Sequence, residues 1–192
     1  MLAFAGLRYA LPSSLTWGPD WTMVIVIPVL MIPVILTRRA GYHHGNDVFG
    51  YVVLTAVTSD LLASLVLLIS RLPSHSESPK QLLIAAGGLW FSNIIVFASW
   101  YWRLDAGGPN KRDARGHHDR GAFLFPQMTL KHSQAWRPKF LDYLFLAFNT
   151  STAFSPTDVP VLSRWAKGMM MLQSSISLTT IAILAARAVN VL

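Results

Sequence analysis

The chain has 192 residues, of which 53% are hydrophobic and only 13% are charged. Soluble domains carry about 25% charged residues, so this composition indicates an integral membrane protein. The absence of cysteine excludes disulfides, thiolate metal sites and iron–sulfur clusters. The net charge is +7, and the basic residues that produce it lie between apolar segments. In such positions basic residues set the topology and contact anionic lipid. We therefore expect the lipid bilayer, and not nucleic acid, as the partner of these charges.

Four long apolar segments predict an all-α, multi-pass transmembrane helical protein. They are residues 21–37, 48–70, 82–102 and 168–192. The first segment is short for a span of about 20 residues. Two prolines in it, Pro28 and Pro33, are expected to kink the helix.

These segments predict a single membrane domain over residues 1–192. Residues 1–80 form an N-terminal helix pair, and residues 81–192 form a second region in which 103–139 are a long polar loop. Glycine, proline and mixed charge predict that the first half of this loop is solvated. The more apolar second half is expected to lie along the membrane surface.

A shorter apolar run, residues 140–154, reads FLDYLFLAFNTSTAF. A helix of about 15 residues rises roughly 22 Å, which is less than the hydrocarbon core of about 30 Å. Pro156 prevents the helix from continuing. The pattern predicts a re-entrant half-helix, whose end must be surrounded by protein or by a water-filled cavity.

Two polar residues, Asp60 and Asn93, lie inside predicted spans. A carboxylate within a membrane is costly, so Asp60 is a candidate for binding a cation or relaying a proton. Alternatively, it is hydrogen-bonded to Thr58, Ser59 or Asn93. The amide of Asn93 is more simply explained as a contact that holds helices together.

The fourth apolar segment carries Gln173, Ser177 and Thr180 at helical spacing, with Arg187 nearer its end. This polar stripe is a candidate lining of an aqueous path. The alternative is that its amide and hydroxyl groups make helix–helix contacts, which membranes favour. Arg187 can extend its side chain to reach the membrane interface.

No catalytic pattern is present, because the chain lacks Ser-His-Asp, HExxH, Walker and dinucleotide-binding motifs. The sequence therefore predicts neither an enzyme nor a bound cofactor. Loops are expected to hold the adjacent pairs His43–His44 and His117–His118, the second followed by Asp119, and also His132. Adjacent ligands converge poorly on one ion. We predict no metal site.

Two short motifs, YWRLDAGGP and FLFPQM, precede a long run near the end of the chain. That run reads DYLFLAFNTSTAFSPTDVPVLSRWAKGMMMLQSSISLTTIAILAARAVNVL. Together they resemble the C-terminal half of a family of small, mostly uncharacterised bacterial multi-pass membrane proteins. The resemblance covers roughly residues 90–192, and its most specific motifs are AFSPTD and ARAVN. It implies a location in the bacterial plasma (inner) membrane.

The same region is more distantly similar to the pore module of two-helix potassium channels, which has an outer helix, a short pore helix, a filter and an inner helix. The resemblance implies that the third predicted span is the outer helix and the fourth is the inner helix. It also implies a homo-oligomer, tetrameric if channel-like, and a monovalent cation. The residues that take the place of the filter are Thr152, Ala153, Phe154, Ser155, Pro156, Thr157 and Asp158.

The stretch departs from a potassium filter at its glycines. Such a filter is a ring of backbone carbonyls, and its glycines supply backbone angles that other residues adopt at a cost. Here Ser155 and Thr157 stand at the glycine positions, and Pro156 fixes φ between them. We expect a weakly selective ion channel that uses hydroxyls or Asp158, or a non-conducting relative. Alternatively, Thr157 or Asp158 simply caps the following helix.

Two further classes of function stay open. One is a membrane scaffold or partner subunit that keeps the pore fold without conducting. The other is a small transporter or proton relay that uses Asp60.

The distribution of basic residues predicts the orientation of the chain. With four spans and a re-entrant half-helix, one side carries 12 of the 16 Lys and Arg residues, and the other carries Arg8, Arg71, Lys80 and Arg187. The positive-inside rule places the 12-residue side, with the loop 103–139, in the cytoplasm. In potassium channels the pore loop faces outside, so the two signals disagree.

A single cysteine tests this orientation. A cysteine at Gly116 should be protected from a membrane-impermeant maleimide in intact cells, because the basic loop is expected inside. A cysteine at Ser74, in the opposite loop, should be labelled. The chain has no cysteine of its own, so each signal comes from one site. The reverse pattern of labelling would support the orientation of a potassium channel.

Overall fold

The structure is a computed structural model that describes residues 6, 21–71, 78–114, 121–130, 136–152 and 159–188. About 85% of it is helical, and the described residues contain no β-strand, which confirms the predicted all-α class. Six α-helices are present in these ranges: α1 Trp21–Arg39, α2 His43–Arg71, α3 Pro79–Leu104, α4 Pro109–Asp113, α5 Phe140–Thr152 and α6 Arg164–Ala188. Two 3₁₀ turns, Asp105–Gly107 and Pro126–Thr129, lie between α3 and α5.

Three helices in the described part of the chain are long and apolar enough to cross a membrane: His43–Ser70, Lys80–Gly107 and Arg164–Ala186. They correspond to the second, third and fourth predicted spans. The first predicted span forms α1, which has 19 residues with both prolines inside it. Helix α1 is not among the three, so its crossing of the membrane stays a prediction.

The chain divides into two compact units. One comprises Met1–Val96 and Ile176–Leu192, and the other comprises Phe97–Ser175. The division falls within α3 and α6, so each of these helices contributes residues to both units. The sequence predicted one membrane domain over residues 1–192 and did not predict a division into these two units.

In the first unit, α1 and α2 form a hairpin around a tight turn. Gly41 has a φ of +70°, which a residue without a Cβ adopts readily. The side-chain amide of Asn46 donates to the Val34 carbonyl at 2.7 Å and ties the start of α2 to the end of α1. Helix α2 begins at His43, so both His43 and His44 lie in its first turn.

In the second unit, the sequence DAGGP ends α3 and reverses the chain. Ala106, Gly107 and Gly108 all have positive φ, of 51°, 82° and 94°. The turn brings α4 back onto α3, so that Arg112 donates to the carbonyls of Trp102 at 2.6 Å and Asp105 at 2.8 Å. The structure thus differs from the predicted solvated loop, since carbonyls of the chain replace water around the buried guanidinium.

The middle of the long loop, around Phe123, pairs with the segment that precedes α6. Phe123 and Val161 form an isolated antiparallel β-bridge. The Leu124 N–H donates to the Pro160 carbonyl at 2.9 Å, and the Leu162 N–H donates to the Ala122 carbonyl at 2.8 Å. Both ends of the bridge are therefore fixed in register.

The DAGGP turn predicts a large effect of a small substitution. Gly108 has φ 94° and ψ 170°, a region that only glycine adopts readily, and an added Cβ would lie 2.9 Å from the Arg103 carbonyl oxygen. Gly108→Ala should lower the free energy of unfolding by about 1–3 kcal/mol. Thermal unfolding in detergent measures the effect.

Gly87→Ala is the matched control for this substitution. Gly87 lies inside α3, and no atom lies within 4 Å of an added Cβ. Alanine there should be neutral or stabilising by about 0.5–1 kcal/mol, because alanine favours a helix over glycine. Equal melting temperatures for the two variants would show that the turn is not constrained.

Candidate functional site

A buried carboxylate joins three parts of the second unit. Asp105 is fully buried directly after α3. Its Oδ1 accepts a hydrogen bond from the Ala122 N–H at 2.5 Å, and its Oδ2 accepts one from the Tyr143 hydroxyl at 2.6 Å. A carboxylate that leaves water needs such donors, since burial without them is costly. Asp105 therefore fixes the long loop and the first turns of α5 against the end of α3.

The guanidinium of Arg112 lies beside this carboxylate. It lies 5.1 Å from the ring centroid of Tyr143 and 5.9 Å from that of Trp102, within the range of cation–π contacts. Burial, reinforced by the charge of Asp105, raises the pKa of Tyr143 well above its usual range, and Arg112 opposes the rise. Tyr143 consequently stays a neutral hydrogen-bond donor at a higher pH than an exposed tyrosine.

Phe123 is the centre of an aromatic cluster where three helices meet. Its ring centroid lies 5.2 Å from that of Tyr101 in α3, 6.2 Å from that of Tyr143 in α5 and 6.1 Å from that of Trp165 in α6. All three pairs are edge-to-face, an arrangement that aromatic rings favour. The end of α3 and the beginnings of α5 and α6 therefore lie together around one side chain.

The other end of α5 is held by Gln173 of α6, which is fully buried. Its Oε1 accepts a hydrogen bond from the Tyr101 hydroxyl at 2.5 Å. Its Nε2 donates to the Ala147 carbonyl at 2.7 Å and to the Ser151 hydroxyl at 2.8 Å. One side-chain amide thus connects α3, α5 and α6.

The polar residues at the end of α5 satisfy the carbonyls of that helix. A helix leaves its last carbonyls without intrahelical partners, and a membrane offers no water to replace them. The Ser174 hydroxyl donates to the Thr150 carbonyl at 3.3 Å. The Thr152 hydroxyl is placed to donate to the Phe148 carbonyl at 3.0 Å and the Asn149 carbonyl at 3.4 Å. The hydroxyls of Thr152 and Ser174 therefore supply donors to carbonyls in the last two turns of α5.

The contacts between α5 and α6 advance in the same sense along both helices. Tyr143 and Trp165, in the opening turns of α5 and α6, both contact Phe123. The last two turns of α5 meet Gln173, which comes nine residues after α6 begins at Arg164. Nine residues correspond to about 14 Å along a helix. The chain is back beside Phe123 at residues 159–162, before α6 starts.

Most of the predicted filter lies outside the described residues, namely Ala153, Phe154, Ser155, Pro156, Thr157 and Asp158. Thr152 is described, and it is the last residue of α5. Its side chain is exposed, and its hydroxyl bonds within its own helix.

The candidate pore-lining residues Gln173, Ser177 and Thr180 are buried within their own chain. In the first unit, the Ser177 hydroxyl accepts a hydrogen bond from the Trp90 indole N–H at 2.9 Å. The Thr180 hydroxyl bonds to the Ile176 and Ser177 carbonyls of its own helix. These contacts favour the helix–helix interpretation of the polar stripe over an aqueous lining.

The two predicted intramembrane polar residues, Asp60 and Asn93, are buried in the first unit. The Oδ1 atom of each is buried and accepts no hydrogen bond within the described residues. Both residues take part in interactions through other atoms.

Sequence reasoning did not single out Asp105, Arg112 or Tyr143. The available signal is that Asp105 lies three residues after the apolar segment 82–102 and two residues before Gly107-Gly108-Pro109, a sequence typical of a turn. The motifs YWRLDAGGP and FLFPQM, noted separately in the sequence, lie together through the ring contact between Tyr101 and Phe123.

Comparisons with known proteins give no relative: no family model matches the chain, and neither a curated protein nor a solved structure matches it. The resemblance to a pore module therefore stays a prediction from the residues quoted above.

The base of α5 gives a testable prediction. Tyr143→Phe removes the hydroxyl that donates to Asp105 Oδ2, so the free energy of unfolding should fall by about 1–3 kcal/mol. Tyr42→Phe is the control, because Tyr42 is exposed on the α1–α2 turn. Thermal unfolding in detergent at neutral pH measures both.

The same pair of variants tests the raised pKa. An unfolded chain loses its tyrosine protons above about pH 10. Native Tyr143 keeps its proton there, so wild-type stability should fall as pH rises above that value. The fall should be smaller for Tyr143→Phe than for Tyr42→Phe. Identical pH profiles would contradict the assignment of Tyr143 as a buried neutral donor.

Proposed function

We propose that the chain is one subunit of an oligomeric, channel-like membrane protein in which α5 is a re-entrant half-helix. The observation that carries this proposal is that α5 and α6 begin at the same Phe123 cluster, while α5 ends against Gln173. With 13 residues, α5 rises about 20 Å, which is shorter than a hydrocarbon core of about 30 Å. The most economical path enters the membrane along α5 and leaves on the same side before α6.

A half-helix that ends inside the membrane favours a cation near its end. The backbone dipoles of a helix give its C-terminus a partial negative charge. The sequence that follows α5 adds hydroxyls and the carboxylate of Asp158. Ser155 and Thr157 lack the backbone freedom of glycine, so we expect weak selectivity among small monovalent cations.

The exposed face of α6 supports the oligomer. An 18-residue window of the candidate span Arg164–Ala186 is only 28% buried, against 44% and 61% for the windows of the other two spans, although it is the least apolar of the three. A span that faced lipid on most of its surface would be expected to be the most apolar. In the second unit, exposed residues recur on it at heptad spacing, namely Gly168, Met171 and Ser175. Small residues let helix backbones approach closely, so we assign this face to a second copy.

A membrane scaffold or partner subunit is the second candidate. It is favoured by the burial of Gln173, Ser177 and Thr180 within the chain, which leaves the polar stripe of α6 unavailable to line a path. In both cases we place the protein in the plasma (inner) membrane of a bacterium.

The first experiment tests the re-entrant path. Single cysteines at Lys139 and Ser163, which flank the segment, should be labelled by an impermeant maleimide from the same side of the membrane. Labelling from opposite sides would mean that α5 crosses the membrane, and the proposal of a re-entrant half-helix would be wrong.

The second experiment measures monovalent cation flux into liposomes that contain the purified oligomer. The wild-type protein should conduct. Gln173→Leu, which removes the contacts to Ala147 and Ser151, should lower the flux severalfold because α5 loses its position. Thr58→Val removes a hydroxyl that bonds within α2 and should leave the flux unchanged. An oligomer without flux would exclude the channel and leave the scaffold, and a monomer in detergent would exclude both the channel and the α6 interface.

A further inference from the structure

An open groove lies at the base of α5, outside the contacts of Asp105 and Tyr143. Its volume is about 640 Å³, and it is lined by Trp136, Arg137, Lys139, Leu141 and Asp142. All five residues belong to the second unit. The groove combines two basic side chains, an aromatic ring and an apolar side chain within seven consecutive positions.

The walls of the groove are fixed by contacts on both sides. The Trp136 ring lies 5.5 Å from that of Phe125, which itself packs on Tyr143. The Asp142 carboxylate accepts a hydrogen bond from the Lys139 N–H at 2.7 Å, and the Asp142 N–H donates to the Lys139 carbonyl at 3.0 Å. This reciprocal pair begins α5, and with two basic side chains against one carboxylate the lining of the groove has a net positive charge.

An exposed apolar stripe continues from the groove along α5. Leu141, Phe145 and Phe148 are 70%, 56% and 43% exposed, and their spacing of four and three residues places them on one helix face. The stripe extends about 10 Å along the helix. The groove and the stripe together form one surface, which is basic next to the start of α5 and apolar along the helix.

We propose that this surface binds an anionic phospholipid. Arg137 and Lys139 hold the headgroup phosphate, and one acyl chain lies along Leu141, Phe145 and Phe148. Guanidinium and ammonium groups bind phosphate oxygens by charge-assisted hydrogen bonds, and tryptophan favours the headgroup level of a membrane. A free phosphate would explain the basic groove but not the apolar stripe that continues from it. The site does not depend on whether the protein conducts.

Native mass spectrometry of the purified full-length protein tests the headgroup. Phosphatidylglycerol should bind more tightly than phosphatidylcholine. The double variant Arg137→Gln/Lys139→Gln should bind phosphatidylglycerol roughly tenfold or more weakly, because each basic residue near a surface contributes to anionic lipid binding. Lys139→Gln alone should show a smaller loss, which keeps the test available if the double variant does not fold.

The matched control is Arg38→Gln/Arg39→Gln, which removes two exposed basic residues at the end of α1. It should leave the affinity for phosphatidylglycerol within about twofold of the wild type, since the groove is untouched. An equal loss in both double variants would show that only the total charge matters, and it would overturn the site.

Fluorescence quenching tests whether an acyl chain lies along the apolar stripe. Phosphatidylglycerol with brominated acyl chains should quench the emission of Trp136, measured as the difference between the wild type and Trp136→Phe. Phe145→Ser should weaken that quenching. Millimolar inorganic phosphate should not displace the lipid, because phosphate cannot occupy the apolar stripe. Displacement by phosphate, or the absence of quenching at Trp136, would overturn the proposal of a lipid site.

Discussion

The second unit depends on the hydrogen bonds that the buried carboxylate of Asp105 accepts. This carboxylate joins the end of α3 to Ala122 and Tyr143, which follow it by 17 and 38 residues. An uncompensated charge in an apolar interior costs several kcal/mol, so each donor must keep its place once the carboxylate is buried. The DAGGP turn, the guanidinium of Arg112 and the Phe123 cluster all assemble around this requirement.

A second requirement applies at the opposite end of α5. Carbonyl groups that leave water need donors, and Gln173 and Ser174 of α6 supply them to Ala147 and Thr150. The short helix is thereby fixed by a carboxylate at its base and by an amide at its end. Both groups are buried, and both take part in hydrogen bonds. Both are better described as the frame of the site than as its reactive groups.

The sequence predicted the features that the membrane itself imposes. Span lengths follow from bilayer thickness, and a helix as short as α5 was recognisable for the same reason. Charged residues were harder, because Arg112 in a glycine-rich loop is expected in water, and only the turn at Ala106–Gly108 brings it onto buried carbonyls. A polar stripe is also ambiguous in principle: Gln173 and Ser177 share a helix face, but the pattern does not say whether water or protein covers it.

The amide of Gln173 has a mechanical consequence. Successive residues of a helix are separated by about 100° of rotation, so even a one-residue turn of α6 would remove this side chain from Tyr101, Ala147 and Ser151 together. Within the second unit, the beginning of α6 and the end of α5 therefore move as one body or separate abruptly. A force applied to the beginning of α6 would therefore reach the end of α5 through this amide, together with the hydrogen bond from the Ser174 hydroxyl.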